Sequence, residues 1–325
     1  MSAQELGSWA RRVDGALVAE PADERELVEV IHVLADRGVK LHRDIALSRA
    51  RLLAFGRVAE RSMTVEVGAG WRLGELDEKL RPFGLTLGPL SPAAMHLRLG
   101  EFLEGPYAGH RSIPGGRLEA LCSSLTALLP DGRRLSTSHA PRSAAGPDLT
   151  ALVLGGHGRV AVVTSAVVRC LPWPERDVRA TFSFGAASHF VTAMKRALAE
   201  GLWPWRVHVD SRSNRVVAEV RWASVPGAVE RDRELLLRSV DGAGGRPSGD
   251  EEREAPLAVE HEATWDAVRE ALDAGRSLQL FRLSLATVIA RGDVQGLALD
   301  GLSSWTSLAG RLGALDPRSL FGGAP

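Results

Sequence analysis

The sequence predicts an α+β fold in two parts. Three observations carry this. The chain has 325 residues, more than one ordinary domain needs. Its first half mixes amphipathic helical stretches with short alternating strands. Beyond the double proline of LPWPE (171–175), the order is strand, helix, strand, strand, helix, which suits an antiparallel sheet covered by helices.

Residues 21–38, PADERELVEVIHVLADRG, place Leu27, Val30, Ile31 and Leu34 on one helical face, with acids in the first turn and Gly38 past the end. VKLHRD (39–44) reads as a short strand. The segment 45–70 reads as strand, turn and connection, then the alternating strand Thr64 to Val67 closed by Gly68 and Gly70. WRLGELDEKL (71–80) forms a second amphipathic helix with Leu73, Leu76 and Leu80 inward. Residues 117–139 read as a helical turn, the strand SSLTALLP, and a hairpin turn at Asp131-Gly132.

Past the boundary, VRATFSF, RVHVD and RVVAEVRW are strands, and ASHFVTAMKRALAEG and GAVERDRELLLRSV are helices. Residues 241–256 are Gly-, Pro- and charge-rich and read as a solvated loop. A helix around Trp265, the strand SLQLFRLSLA and a helix from Ser303 to Leu315 complete the chain. Trp203, Trp205 and Trp222 are expected in the core between sheet and helices.

Lys plus Arg equals Asp plus Glu at 40 each, with no long basic run, so nucleic acid is not an expected ligand. The two cysteines, Cys122 and Cys170, lie in apolar strand-like runs and read as buried thiols rather than a bridge. No apolar run approaches the roughly 20 residues of a membrane span, and the N-terminus lacks the pattern of a secretion signal, so a cytoplasmic location is expected. His96 and His110 have no second ligand at metal spacing, and no metal site is expected.

The stretch 143–175, SAAGPDLTALVLGGHGRVAVVTSAVVRCLPWPE, resembles the closing segment of the flavin-binding domain in FAD-linked oxidases of the p-cresol methylhydroxylase and vanillyl-alcohol oxidase superfamily. Gly146, Asp148, Leu149, Gly155, Gly158, Val162 and Thr164 keep the family positions, while His157 and Ala161 depart from them. LRLGEFLEGPYAGHRSIPGGRLEAL (97–121) resembles the family's Thr-Val-Gly-Gly segment. Gly100, Gly109 and Gly116 are kept, but Glu101 stands at the second glycine, Arg98 at the threonine, Gly115 at a tyrosine and Ala120 at an aspartate. In the family, a glycine-rich loop after the first strand surrounds the flavin's pyrophosphate with backbone N–H groups. Here VKLHRD runs directly into IALSRARLL, and that loop is missing.

The resemblance implies a p-cresol-methylhydroxylase-type FAD-binding domain over 1–175, built of two α+β subdomains. A shortened ferredoxin-like cap with a C-terminal return helix follows over 176–325. It implies FAD as cofactor, held at Gly100, Gly109, Gly116, Gly146, Gly155, Gly158, Val162 and Thr164, although turn-making alone accounts for Gly155, Gly158 and Thr164 equally well. The implied activity is oxidation of a 2-hydroxy acid or similar alcohol, within a complex with partner subunits of a flavin-dependent dehydrogenase. The smaller flavin-fold subunit of bacterial glycolate oxidase is the nearest likeness by length, and alkyldihydroxyacetonephosphate synthases are more distant.

Two other readings stand beside it. The missing loop and Glu101, whose carboxylate would repel a diphosphate, favour a non-catalytic structural or regulatory subunit. A vacated cleft lined by Arg43, Arg98 and His110 would bind another anion. Arg282 is the candidate for gripping a substrate carboxylate bidentately. No catalytic residue is identified, since Tyr107 is the single tyrosine and no paired histidines follow residue 209.

Overall fold

The computed structural model describes residues 8–292 apart from 42–43, 89, 91, 106–120, 139–148, 157, 175, 203, 213–214, 225, 250–259, 282 and 284, together with 320–321. Strands β1 (Ala10–Val13) and β2 (Ala16–Ala19) form a hairpin, and β3 (Ala46–Leu47) joins β2 in parallel. The two turn residues Asp14 and Gly15 have φ of 48° and 84°, the backbone that an Asp-Gly turn supplies. The hairpin escapes a reading for apolar alternation because three of the four residues of β1 are exposed.

The helix expected over 21–38 spans Glu24–Asp36. Asp23 caps it by accepting the Glu26 N–H at 2.8 Å, which satisfies one of the helix's orphan donors, and the Glu26 carboxylate accepts the N–H of Ala22, just before the cap, at 2.7 Å. Leu27, Val30, Ile31 and Leu34 are all buried. They share a core with Leu41, Ile45, Leu128 and Val162, and with Leu320 and Phe321 near the C-terminus.

Residues 42–43 of the strand expected over 39–44 lie outside the described residues; beside them Leu41 forms a bridge with Ile45, and its N–H goes to the Leu320 carbonyl at 2.7 Å.

A second, antiparallel sheet holds β4 (Thr64–Gly68), β6 (Cys122–Leu128), β7 (Arg134–Ser136) and β8 (Val162–Arg169) in the order β4-β8-β6-β7, and the short strands β5 (Leu85–Thr86) and β9 (Leu171–Pro172) pair with each other. The helix Leu73–Leu80 buries Leu73, Leu76 and Leu80 in the core of this sheet, as the periodicity predicts. The short helix Leu99–Glu104 adds Leu99, Phe102 and Leu103 to that core. Both cysteines lie in it as free, buried thiols.

Beyond residue 175 a seven-stranded antiparallel sheet forms in the order β13-β10-β12-β11-β15-β16-β14. Its strands are β10 (Arg176–Phe184), β11 (Arg206–Arg212), β12 (Arg215–Ser224), β13 (Arg246–Pro247), β14 (Glu260–Thr264), β15 (Ser277–Phe281) and β16 (Thr287–Arg291). The helices Ala187–Ala199, Pro226–Asp241 and Trp265–Asp273 pack on one face, around Trp222, Trp265, Phe182 and Phe190. The sheet is larger than the shortened cap expected. EHEAT (260–264) carries no apolar alternation, so β14 is invisible to it. The run read as one strand over 277–286 ends at Phe281, and a second strand, β16, turns back against it. The helix expected over 303–315 lies outside the described residues.

Candidate functional site

The first candidate region is where the Arg49–Leu52 segment packs on Gly68, Gly70 and Gly100. Gly68 and Gly70 let the chain at Arg49–Leu52 lie directly on the end of β4. A Cβ at Gly70 would stand 2.1 Å from the Arg49 carbonyl oxygen, and one at Gly68 2.2 Å from that of Leu52, so both positions require glycine. This path carries Arg49 inward. Its guanidinium passes beside Gly100, where a Cβ would lie 2.6 Å from Arg49 Cδ and 2.9 Å from its Nε.

Arg49 reaches Glu104 at the end of the Leu99–Glu104 helix, with Nη2 to Oε2 at 2.5 Å. Both residues are buried, at 3 % and 4 % exposure. The other carboxylate oxygen of Glu104 accepts the Val163 N–H at 2.7 Å. Burial pushes the Glu104 carboxyl above the usual carboxylate range, while Arg49 and the Val163 amide pull it down.

The family positions that are described turn inward in the same manner. The Gly100 N–H donates to the Ala69 carbonyl at 2.9 Å, and that of Gly155 to the Leu103 carbonyl at 3.0 Å. Gly155 and Gly158 have φ of 73° and 69°, so each is held to glycine by its turn. Val162 is buried in the core beneath the Glu24–Asp36 helix. Thr164 Oγ1 donates to the Thr126 carbonyl at 3.3 Å and meets the Glu24 carboxylate at 3.4 Å. The Glu101 carboxylate accepts the Arg98 N–H at 2.9 Å, closing the start of its own short helix. The Arg98 guanidinium is held on the Gly70 carbonyl at 2.5 Å. Gly109, Gly116, Gly146 and Arg282 lie outside the described residues, as do Arg43, His110 and His157.

A cleft of about 700 Å³ opens beside this junction, lined among others by Asp23, Glu24, Arg51, Glu66, Arg134 and Thr164. Arg134 is paired with Glu24 at 2.8 Å. Three carboxylates against two guanidiniums make a poor seat for a diphosphate. Among the described residues, the Gly100 and Gly155 N–H groups bond within the chain and the buried Arg49 guanidinium pairs with Glu104.

The second candidate region is the face of the seven-stranded sheet opposite its helices, which the sequence reading did not identify. Strand register assembles it. Arg179, Arg221 and Arg206 stand opposite one another across β10, β12 and β11. One pleat along, Thr181, Glu219, His208 and Gln279 form a second row across β10, β12, β11 and β15. The alternate residues Ala218, Val220, Val207, Val209, Leu278 and Leu280 face the helices, so these rows all point the other way.

His208 and Gln279 are nonetheless buried, at 6 % and 5 % exposure. Gln279 Oε1 and Arg206 Nε are buried without a hydrogen-bond partner. Buried polar atoms are nearly always satisfied, so these two are exceptions that call for an explanation. The only sequence signal was the polar residue at alternate positions of RVHVD and RVVAEVRW. Which strands pair, and in what register, is not written in either segment alone.

Comparison with known proteins now decides the family. Residues 15–138 match the FAD binding domain family. About 95 % of the chain overlays solved structures of similar fold. A structure of alkyldihydroxyacetonephosphate synthase matches with a TM-score of 0.74 at 14 % identity, over 95 % of this chain and 76 % of that one. One of p-cresol methylhydroxylase with substrate bound matches with a TM-score of 0.63 at 10 % identity, over 96 % and 82 %.

Residues 15–138 are an FAD binding domain of the FAD-linked oxidase type. Among relatives of this superfamily, the mitochondrial D-lactate dehydrogenase [cytochrome] of Arabidopsis thaliana is 29 % identical over 55 % of this chain and 30 % of its own length. The alkyldihydroxyacetonephosphate synthase of Dictyostelium discoideum is 27 % identical over 56 % and 29 %. The chain thus aligns with under a third of the length of these two relatives. FAD is the cofactor of the family, and the chain shares the fold of the solved structures above.

Proposed function

We propose that this chain is the flavin-fold subunit of a flavin-dependent dehydrogenase that oxidises a 2-hydroxy acid. Its part is to bind the substrate on the helix-free rows of the seven-stranded sheet. The observation that carries this is the juxtaposition, by strand register, of Arg206 and Arg221 with the buried His208 and Gln279.

Guanidinium groups side by side suit a planar carboxylate, which they hold by charge-assisted hydrogen bonds. His208 is the base assigned to the substrate hydroxyl proton, and Gln279 is assigned to orient that hydroxyl through its unpartnered oxygen. The D-lactate dehydrogenase relatives, from Arabidopsis and from Archaeoglobus fulgidus, support the choice of a hydroxy acid over a plain alcohol. Electrons leave to the assembled complex, whose partner subunits complete the flavin pocket.

Calorimetric titration with glycolate, D-lactate and propane-1,2-diol tests this. Both acids are expected to bind and the diol, which lacks the carboxylate, is not. Arg206→Met is expected to weaken acid binding about 10-fold or more, the worth of one charge-assisted hydrogen bond. Equal affinity for diol and acids, or no loss in Arg206→Met with an unchanged circular dichroism spectrum, would sink the assignment.

A second reading, a structural or regulatory subunit without flavin, is favoured by the buried Arg49–Glu104 pair. A dehydrogenase assay on the complex isolated through a tag on this chain separates the two. Dye reduction driven by a 2-hydroxy acid and lost in His208→Asn supports the first reading, and a complex without such activity supports the second.

A further inference from the structure

We propose that Glu104 is a built-in anionic ligand. Its carboxylate occupies the donor set of the Arg49 guanidinium and the Val163 N–H, at the junction that faces the diphosphate in the family. This allows the chain to close that junction without a cofactor anion.

Four observations meet at this point. Arg49 belongs to the segment that follows directly where the glycine-rich loop is missing, and it packs on Gly100, a kept glycine of the second phosphate-facing segment. The two elements that would flank a diphosphate are thus bridged by one side chain. Glu104 meets the bridge from the end of the same short helix and spends both oxygens, one on Arg49 and one on the Val163 amide. The pair is 55 residues apart in sequence and buried, so it is a feature of the tertiary structure and not a local surface pair. Finally, Arg49 Nε remains without a hydrogen-bond partner. A guanidinium built only to neutralise Glu104 would be expected to use its fork fully, whereas this one retains an unused donor beside Gly100.

The energetic logic is that of buried ion pairs. Removing one partner leaves an uncompensated charge in the interior, which is far more costly than the pair is worth. Arg49 therefore needs an anion, and the choice is between an internal and an external one. The internal carboxylate is always present at unit stoichiometry, so an external phosphate must displace it to bind there.

Glu104→Ala makes the substitution testable, because the atoms it removes beyond Cβ are those of acetate. Melting temperatures are measured at constant ionic strength in sodium chloride and in sodium acetate, for wild type, Glu104→Ala and Glu104→Gln. Wild type is also measured with FAD and with inorganic pyrophosphate. The wild-type melting temperature is expected not to move with FAD or pyrophosphate. Glu104→Ala is expected to melt about 5 °C or more lower in chloride and to recover part of the loss in acetate in a saturable manner. Glu104→Gln, whose amide still fills the space, is expected not to be rescued.

A saturable rise of the wild-type melting temperature with FAD or pyrophosphate would overturn the proposal while strengthening the flavin reading. Rescue by acetate no better than by chloride would overturn it as well. Should Glu104→Ala fold in neither salt, the wild-type titration alone decides.

Discussion

The two regions use their buried polar groups differently, although each holds a guanidinium Nε without a hydrogen-bond partner, that of Arg49 in the first and that of Arg206 in the second. In the first, interior polar groups pair with one another: Glu104 with Arg49 and Val163, and Asp77 with the Thr86 hydroxyl at 2.8 Å and the Leu87 N–H at 2.6 Å. In the second, polar residues aligned across strands include buried atoms with no partner, among them Gln279 Oε1 and Arg206 Nε. A closed polar network rigidifies a fold, and an open one is where a ligand finds donors and acceptors ready. The contrast teaches that the first region spends its buried carboxylates on pairs within the fold, while the sheet leaves a buried amide oxygen open. The open chemistry lies on the sheet.

The sharpest way to break the contrast is to unbalance the closed region. Glu104→Ala leaves Arg49 buried and unpaired and is expected to destabilise by about 3–5 kcal/mol in urea unfolding. The double change Arg49→Met with Glu104→Met, which replaces the pair by apolar bulk, is expected to cost far less. If the two variants unfold at the same urea concentration, the pair is not coupled as described. Gly100→Ala comes next. Its Cβ would stand 3.0 Å from that of Ala69 as well as against Arg49, so strain of about 1–3 kcal/mol is expected from the same measurement.

The sheet should respond in the opposite sense. Gln279→Met removes a buried acceptor that has no partner and keeps the volume, so its stability is expected to stay within about 1 kcal/mol of wild type or to rise. A loss near that of Glu104→Ala would show that Gln279 is satisfied and that this row is closed too.

The smallest effect concerns Cys170. Burial pushes its thiol from 9.0 up to about 12, with the Asp77 carboxylate adding to the shift. The folded state thus holds this proton more tightly than the unfolded one. The sign follows: stability is full below the unfolded thiol's pKa near 9 and declines as pH rises from there toward 12. Native protein at pH 8 is expected to resist alkylation by iodoacetamide at Cys170, read by mass spectrometry, and to react once unfolded in urea.

Much of this was legible in the sequence where the signal is local. Leu27, Val30, Ile31 and Leu34 fixed a helix because their spacing is helical, and Leu73, Leu76 and Leu80 did the same for the next. The Asp131-Gly132 turn and the strand order beyond the double proline were equally local. The motifs at 97–121 and 143–175 carried the family, since glycine positions tied to turns survive when side chains change.

The site was less legible because it is made by distance in the chain. Nothing local joins Arg49 to Glu104, and His208 meets Gln279 only through the register of β11 on β15. Gly100, Gly155 and Thr164 were read as cofactor contacts by likeness. Within the chain, the Gly100 and Gly155 N–H groups and the Thr164 hydroxyl bond to the Ala69, Leu103 and Thr126 carbonyls.

The most direct test of the closed first region is the absorbance spectrum of the purified chain from 300 to 550 nm, before and after incubation with excess FAD and desalting. With Glu104 filling the junction, the isolated chain is expected to emerge colourless. Flavin bands retained at full occupancy would contradict that account.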